Sequence, residues 1–298
     1  MTIMNQTDQP EPTTIAIACE SGGFRCVFVH GVLDALEEAG VRAVAYAAAS
    51  ASVLPAALAA IGRAREAGVR YWHDALEVRM REGNGMSEMV LAGLARYAPR
   101  IEDRLFAEDA PRFVIAVSEV VDRLVAEGTQ GALASRMGRE QLLAMARGDA
   151  SWADAALRAV MFDTHDGGER RLDRESFREA AYASSRMLHA WRVPATIAGR
   201  PYIDASYTVG FPARVLAEGG AATIVAIATG TAPAFTNLYR NEPLGSHAGP
   251  VPIELIAPPV DLKELGVDFT TASIEGLDRG YALGRECAIT WLRSRSVG

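Results

Sequence analysis

The sequence predicts an α/β fold on a mostly parallel sheet, and its clearest sign is a strand–turn–helix pattern that occurs twice near the N-terminus. Ile15 to Cys19 is a short apolar run, and Val27 to Ala39 carries Val29, Val32, Leu33 and Leu36 on one helical stripe. Val41 to Ala47 is apolar again, Ala48-Ala49-Ser50-Ala51-Ser52 is a turn of small residues, and Val53 to Ile61 returns to helical spacing. Further along, apolar runs continue to alternate with helical patterns. Parallel strands covered on both faces read in this way.

Each turn has chemical content. Glu20-Ser21-Gly22-Gly23-Phe24-Arg25-Cys26 joins the first strand to the first helix. A glycine pair there lets backbone N–H groups approach a ligand closely. The helix start adds partial positive charge, which suits an anion or a developing oxyanion. Ser50 stands between a strand end and a helix start, the place of a nucleophile elbow.

After the elbow, Arg63 to Tyr97 is predicted to be mostly helical, with a break at Pro99. More helix is predicted from Arg112 to Arg147, interrupted near Gly128-Thr129-Gln130-Gly131. The region from about 63 to 150 therefore reads as a helical insert that caps the site. Leu157 to Asp163 is a candidate strand, followed by a turn at Asp166-Gly167-Gly168 and a helix from Asp173 to Ser185. Tyr202-Ile203-Asp204 reads as a short strand ending in a carboxylate. Ala222 to Ala228 and Ile253 to Ile256 are further strands, and a helix runs from about Ala272 to Leu292. With no repeat or linker, residues 14–298 read as one domain behind a polar, proline-bearing tail, 1–13, expected to be disordered.

Composition narrows the function. The chain is 49% hydrophobic, enough for a large core. Its formal net charge of −7 and scattered arginines argue against binding nucleic acid, which needs clustered Lys and Arg. Cys19, Cys26 and Cys287 have no metal or redox spacing, and an odd count fits a reducing compartment. Met1 to Thr13 lacks the apolar stretch of a signal peptide, and no apolar run reads as a membrane span. A cytoplasmic protein is expected. No metal, dinucleotide or Walker motif is present, so no cofactor is expected.

Glu20-Ser21-Gly22-Gly23-Phe24-Arg25 followed by Gly31-Val32-Leu33-Asp34-Ala35-Leu36 resembles the start of a patatin-like phospholipase, in particular the bacterial branch that reads E-G-G-G-x-R-G and then G-V-L-D-A-L. Ala48-Ala49-Ser50-Ala51-Ser52 stands where that family has G-x-S-x-G. Asp204 to Pro212 stands where it has D-G-G-x-x-x-N-x-P, and Ala183-Ser184-Ser185 matches an A-S-S segment before it. The resemblance covers roughly residues 14 to 215. It implies a three-layer α/β/α fold and a Ser–Asp dyad, with Ser50 as nucleophile and Asp204 as its base. The N–H groups of Gly22, Gly23 and Phe24 would form the oxyanion hole, and Arg25 would brace the loop. His189 and Cys26 are candidates for the pocket wall.

The implied function is a serine hydrolase acting on an ester or thioester of an acyl or lipid-like substrate through a covalent acyl-enzyme, with transient membrane contact. The alternatives are a biosynthetic acyltransferase or cyclisation catalyst and a non-catalytic acyl-binding protein. Several family glycines are replaced, by Ser21, Cys26, Ala48, Ser52, Ala205 and Ser206, and Gly210 replaces the asparagine. Where the backbone needs positive φ, each added Cβ is expected to cost about 1–3 kcal/mol. The added atoms are also expected to narrow the site.

Overall fold

The computed structural model describes residues 14–237 and 242–295; the expected tail, 1–13, lies outside the described residues. The strands are β1 (Ile15–Cys19), β2 (Ala43–Ala49), β3 (Arg112–Val120), β4 (Leu157–Asp163), β5 (Thr196–Ile197), β6 (Arg200–Ile203), β7 (Thr223–Ile227), β8 (His247–Ala248) and β9 (Val251–Ile256). The helices are α1 (Cys26–Glu38), α2 (Val53–Ala60), α3 (Ala64–Ala67), α4 (Arg70–Met80), α5 (Met86–Leu105), α6 (Arg123–Gln130), α7 (Ala134–Ala146), α8 (Ser151–Ala156), α9 (Phe177–Ser184) and α10 (Ile274–Arg295). The sheet order is β5-β6-β3-β2-β1-β7-β9-β8, with β4 also paired to β3. Strands β3, β2, β1, β7 and β9 run parallel. This is the mostly parallel, helix-flanked architecture expected from the sequence.

One sheet face carries Ile17, Cys19, Tyr46, Phe113, Ile115 and Val117 into a core shared with the surrounding helices. Burying each of the larger side chains contributes about 1.5–3 kcal/mol. The opposite face of β1 and β2 is alanine: Ala16, Ala18, Ala45 and Ala47 pack with Phe211, Ala213 and Leu216. Small side chains there let the 3-10 segment Pro212–Glu218 lie close to the sheet. Helices α1 and α10 also approach closely. A Cβ at Gly31 would lie 2.1 Å from the Tyr281 carbonyl oxygen, and one at Gly284 would lie 2.2 Å from that of Phe28. Beside this contact the buried Asp34 accepts the Tyr281 hydroxyl at 2.6 Å and pairs with Arg285 at 2.6 Å.

Two expectations for the region after the elbow are corrected. The stretch starting at Arg112 is strand β3 in the sheet, not helix. Its residues Phe113 to Val120 are all buried, so the sequence shows no alternation between faces. The predicted break at Pro99 does not occur either, because α5 continues to Leu105. Proline removes one helical hydrogen bond there, at a position exposed to solvent.

The pairing around β3 positions the site. Strand β4 follows one edge of β3 from Val114 to Val120. The other edge is shared: β2 pairs as far as Ala49 opposite Ala116, and β6 pairs from the other direction, with Ile203 opposite Ser118. Strand β2 is parallel to β3 and β6 antiparallel, so their ends point at each other across the position of Val117. The next residue in each chain direction is Ser50 in one case and Asp204 in the other.

Candidate active site

Ala49 is extended, and at Ser50 the backbone turns to φ 57 before the 3-10 turn Ser50–Ser52 and α2. A left-handed non-glycine residue costs on the order of 1–3 kcal/mol and persists only when neighbours hold it. Here the Ser50 N–H donates to the Ser184 hydroxyl at 2.7 Å, which donates in turn to the Ala116 carbonyl at 2.7 Å. The Ser52 hydroxyl donates to the Ala49 carbonyl at 2.8 Å, tying the turn back to the end of β2.

The Ser50 hydroxyl donates to Asp204 Oδ2 at 2.7 Å. The second carboxylate oxygen accepts the Ser206 N–H at 2.8 Å. The Asp204 N–H goes to the Arg186 carbonyl at 3.0 Å, and the Asp204 carbonyl accepts the Ser118 hydroxyl at 2.7 Å. The carboxylate is wholly buried. Burial pushes its pKa from 3.8 up to about 6, against the stabilising hydrogen bonds of Ser206 and Ser50.

Beside this pair the Gly22–Gly23 loop is held between two walls. A Cβ on Gly22 would meet the Thr229 side chain at 2.7 Å, and one on Gly23 would meet the Phe269 carbonyl oxygen at 2.0 Å. Gly23 also has φ +58, which glycine adopts without strain. Among the described residues, neither Gly22 N–H nor Gly23 N–H donates to a protein acceptor. The Phe24 N–H does: it is bound to the Phe269 carbonyl at 3.1 Å, which removes Phe24 from the expected donors.

Arg25 pairs with Asp268 at 2.7 Å, and Asp261 lies 3.9 Å from the same nitrogen. This ties the loop to the residue next to Phe269. On the other wall, the half-buried Glu20 carboxylate accepts the Thr229 N–H at 2.6 Å. Burial pushes Glu20 up to about 7.

The replaced glycines do not produce the expected strain. Among the described residues, the non-glycine positions with positive φ are Ser50 and Ala198. Cys26 has φ −65 and Ser52 φ −79. The sharp turns fall on Ser50 and Gly23, so side chains at the neighbouring positions meet ordinary backbone. Ser21 and Gly210 have exchanged bulk: a Cβ at Gly210 would lie 3.0 Å from the Ser21 hydroxyl oxygen.

A cavity of about 150 Å³ has Ser50 and Gly23 on its wall, with apolar residues of α2, α4 and α5 around them. Met86 and Met89 line it, whereas Met80 is exposed. Cys26 and His189 do not line it. The Cys26 side chain is sealed in the core with its thiol 3.6 Å from the Glu20 carbonyl, and burial holds the thiol neutral. His189 packs its ring 6.4 Å from that of Phe269, and burial lowers its pKa.

Sequence motifs gave no sign of Thr229, Phe269, Asp268 or the aromatic wall residues Tyr71, Trp72 and Trp191. They come from separate segments and meet only in the fold. His30 shows how the wall is set: its Nδ1 accepts the Trp72 indole N–H at 3.1 Å and its Nε2 faces the Ala64 carbonyl at 2.9 Å. Burial pushes this histidine down to about 4, so it is a neutral spacer.

Among the described residues, no helix is long and apolar enough to cross a membrane, and no group of His, Cys, Asp or Glu could hold a metal ion. The family model described as patatin-like phospholipase matches residues 17–217, more than half of the chain. No curated protein matches the chain.

Proposed function

This chain belongs to the patatin-like phospholipase family, a family of lipid acyl hydrolases, and on that premise we propose that it is a serine acyl hydrolase working through Ser50 and Asp204. The observation that carries this reading is the 2.7 Å hydrogen bond from the Ser50 hydroxyl to a wholly buried carboxylate.

Ser50 Oγ attacks the acyl carbonyl of an ester or thioester, and its proton passes to Asp204 Oδ2. The carbonyl electrons collect as an oxyanion facing the N–H groups of Gly22 and Gly23. Such preorganised donors stabilise the tetrahedral state by roughly 3–4 kcal/mol each. The C–O or C–S bond then breaks, the leaving group takes the proton from Asp204, and the acyl group stays on Ser50. Water attacks this acyl-enzyme, giving its proton to Asp204, and the proton returns to Ser50 as the acid departs. A buried carboxyl with a pKa near 6 is a stronger base than an ordinary aspartate while still ionised at neutral pH. Arg25, through Asp268, keeps the Phe269 carbonyl against the glycine loop and so fixes the direction of its N–H groups.

The test is intact-mass labelling with a fluorophosphonate. The native protein should gain one adduct on Ser50, and Ser50→Ala should gain none while unfolding at a similar temperature. Ester turnover that survives in folded Ser50→Ala protein would refute the reading.

A further inference from the structure

We propose that the acyl group taken by this site is compact, an apolar group of about six carbons such as a short alkyl chain or a single aryl ring. The inference rests on Ser50 being the acylated residue and adds the size of its donor.

The cavity at Ser50 measures about 150 Å³, the size of an apolar cavity that takes one benzene ring. A palmitoyl chain is far too large for it. The wall cannot easily retreat. Trp72, Met86 and Leu94 are almost fully buried. Trp72 is pinned through its N–H to His30. Tyr71 stands edge-on to Trp72 at 4.9 Å between ring centroids and packs against Tyr97 at 5.2 Å. Moving such a wall means repacking a dense core.

The charged residues on the wall, Asp74 and Arg96, pair at 2.6 Å and tie α4 to α5, and Asp74 also takes Arg70 at 2.7 Å. An apolar chain growing into that pair would strip water from it and gain no partner for it. Within the apolar part, each added methylene should raise kcat/KM about fourfold, and the gain should stop where the wall stops.

The experiment measures kcat/KM for p-nitrophenyl acetate, butanoate, hexanoate, benzoate, decanoate and palmitate. The profile should rise to hexanoate or benzoate and fall at least about tenfold by decanoate. Gly93 lies on the wall, and a Cβ there would sit 3.6 Å from Leu54 Cδ1 and 4.0 Å from the Tyr71 hydroxyl, in ordinary contact. Gly93→Ala should therefore move the optimum to a shorter chain, and Met89→Ala should move it to a longer one.

A separate arm titrates ethyl hexanoate and ethyl decanoate into Ser50→Ala protein, reading the fluorescence of Trp72 and Trp191. Hexanoate should bind at least about tenfold more tightly. Fluorophosphonate labelling of Ser50 together with a profile that keeps rising to palmitate overturns the size limit and leaves the serine mechanism standing. Absent labelling overturns the mechanism. In that case the titration still decides the size limit, and equal or tighter binding of decanoate overturns it.

Discussion

The hydroxyl of Ser184 accepts the backbone N–H of Ser50 at 2.7 Å and donates onward to the Ala116 carbonyl at 2.7 Å. It links the end of α9 to β3 through the one point where the elbow is left-handed. Without it, a buried N–H next to the reacting oxygen has no acceptor, which costs about 1–3 kcal/mol. Ser184→Ala should lower stability by that amount. It should also cut kcat about tenfold with little change in KM, because the loss falls on the geometry of Ser50 and not on the acyl cavity. Thermal unfolding and steady-state kinetics with a short ester check both. Unchanged kcat would mean that the elbow holds its conformation without this contact.

Asp204 should trade stability for activity. Its carboxyl is pushed from 3.8 up to about 6 by burial, so between these values the folded chain holds a proton that the unfolded chain has released. This group's contribution to stability is therefore full below 3.8 and lost as pH rises through about 6. Asp204→Asn removes the buried charge. It should raise stability at pH 8 by up to about 3 kcal/mol, and the gain should shrink towards pH 5. Turnover should fall by orders of magnitude, because an amide cannot take the serine proton. In the unaltered protein, kcat/KM should rise with pH through about 6 and then level. Melting curves and rates across pH 5–8 test the sign, and a variant less stable at pH 8 than the parent would contradict it.

These expectations were partly legible in the sequence, for reasons tied to particular residues. Ile15–Cys19 and Leu157–Asp163 are seen as strands with the predicted bounds, since a polar, glycine-bearing turn follows each apolar run. The Gly22–Gly23 pair and Ser50 could be placed because a glycine or small-residue turn between strand and helix has a local signature. β3 could not be recognised in this way: buried on both faces, Arg112–Val120 shows no period, and helical patterns surround it. The cavity was hidden for another reason. Its wall joins Gly23, Trp72, Met86 and Trp191, which no spacing rule connects, and whether Met86 lines a cavity or simply fills a core depends on the angle between α4 and α5.

Ser21 and Gly210 give a paired prediction. The Ser21 N–H donates to the Gly210 carbonyl at 2.8 Å, and the Ser21 hydroxyl fills the space in front of Gly210. Gly210→Asn alone should clash with that hydroxyl and destabilise the loop. Ser21→Gly alone should leave a small gap. The double variant should recover about 1–2 kcal/mol relative to the sum of the two. A double-mutant cycle read by denaturant unfolding measures this coupling, and additive effects would show that the two positions are independent.

Arg25 and Asp268 lie 2.7 Å apart and are each about a third exposed. As a partly exposed ion pair it adds little to global stability, about 0–1 kcal/mol. Its effect on the site should be larger. Phe269 follows Asp268 directly, and its carbonyl both accepts the Phe24 N–H and stands against Gly23. Loosening Asp268 frees that carbonyl to shift, and the N–H groups of Gly22 and Gly23 lose the fixed direction on which oxyanion stabilisation depends. Arg25→Met and Asp268→Asn should each leave the melting temperature within a few degrees, yet lower kcat by about 10- to 100-fold with KM nearly constant. The double variant should be no worse than either single one, since both remove the same restraint. Raising salt should weaken turnover in the unaltered protein and have little effect in the variants, because screening acts on the pair they lack. If both single variants keep full kcat while the pair is demonstrably broken, the glycine loop is held by Thr229 and Phe269 alone.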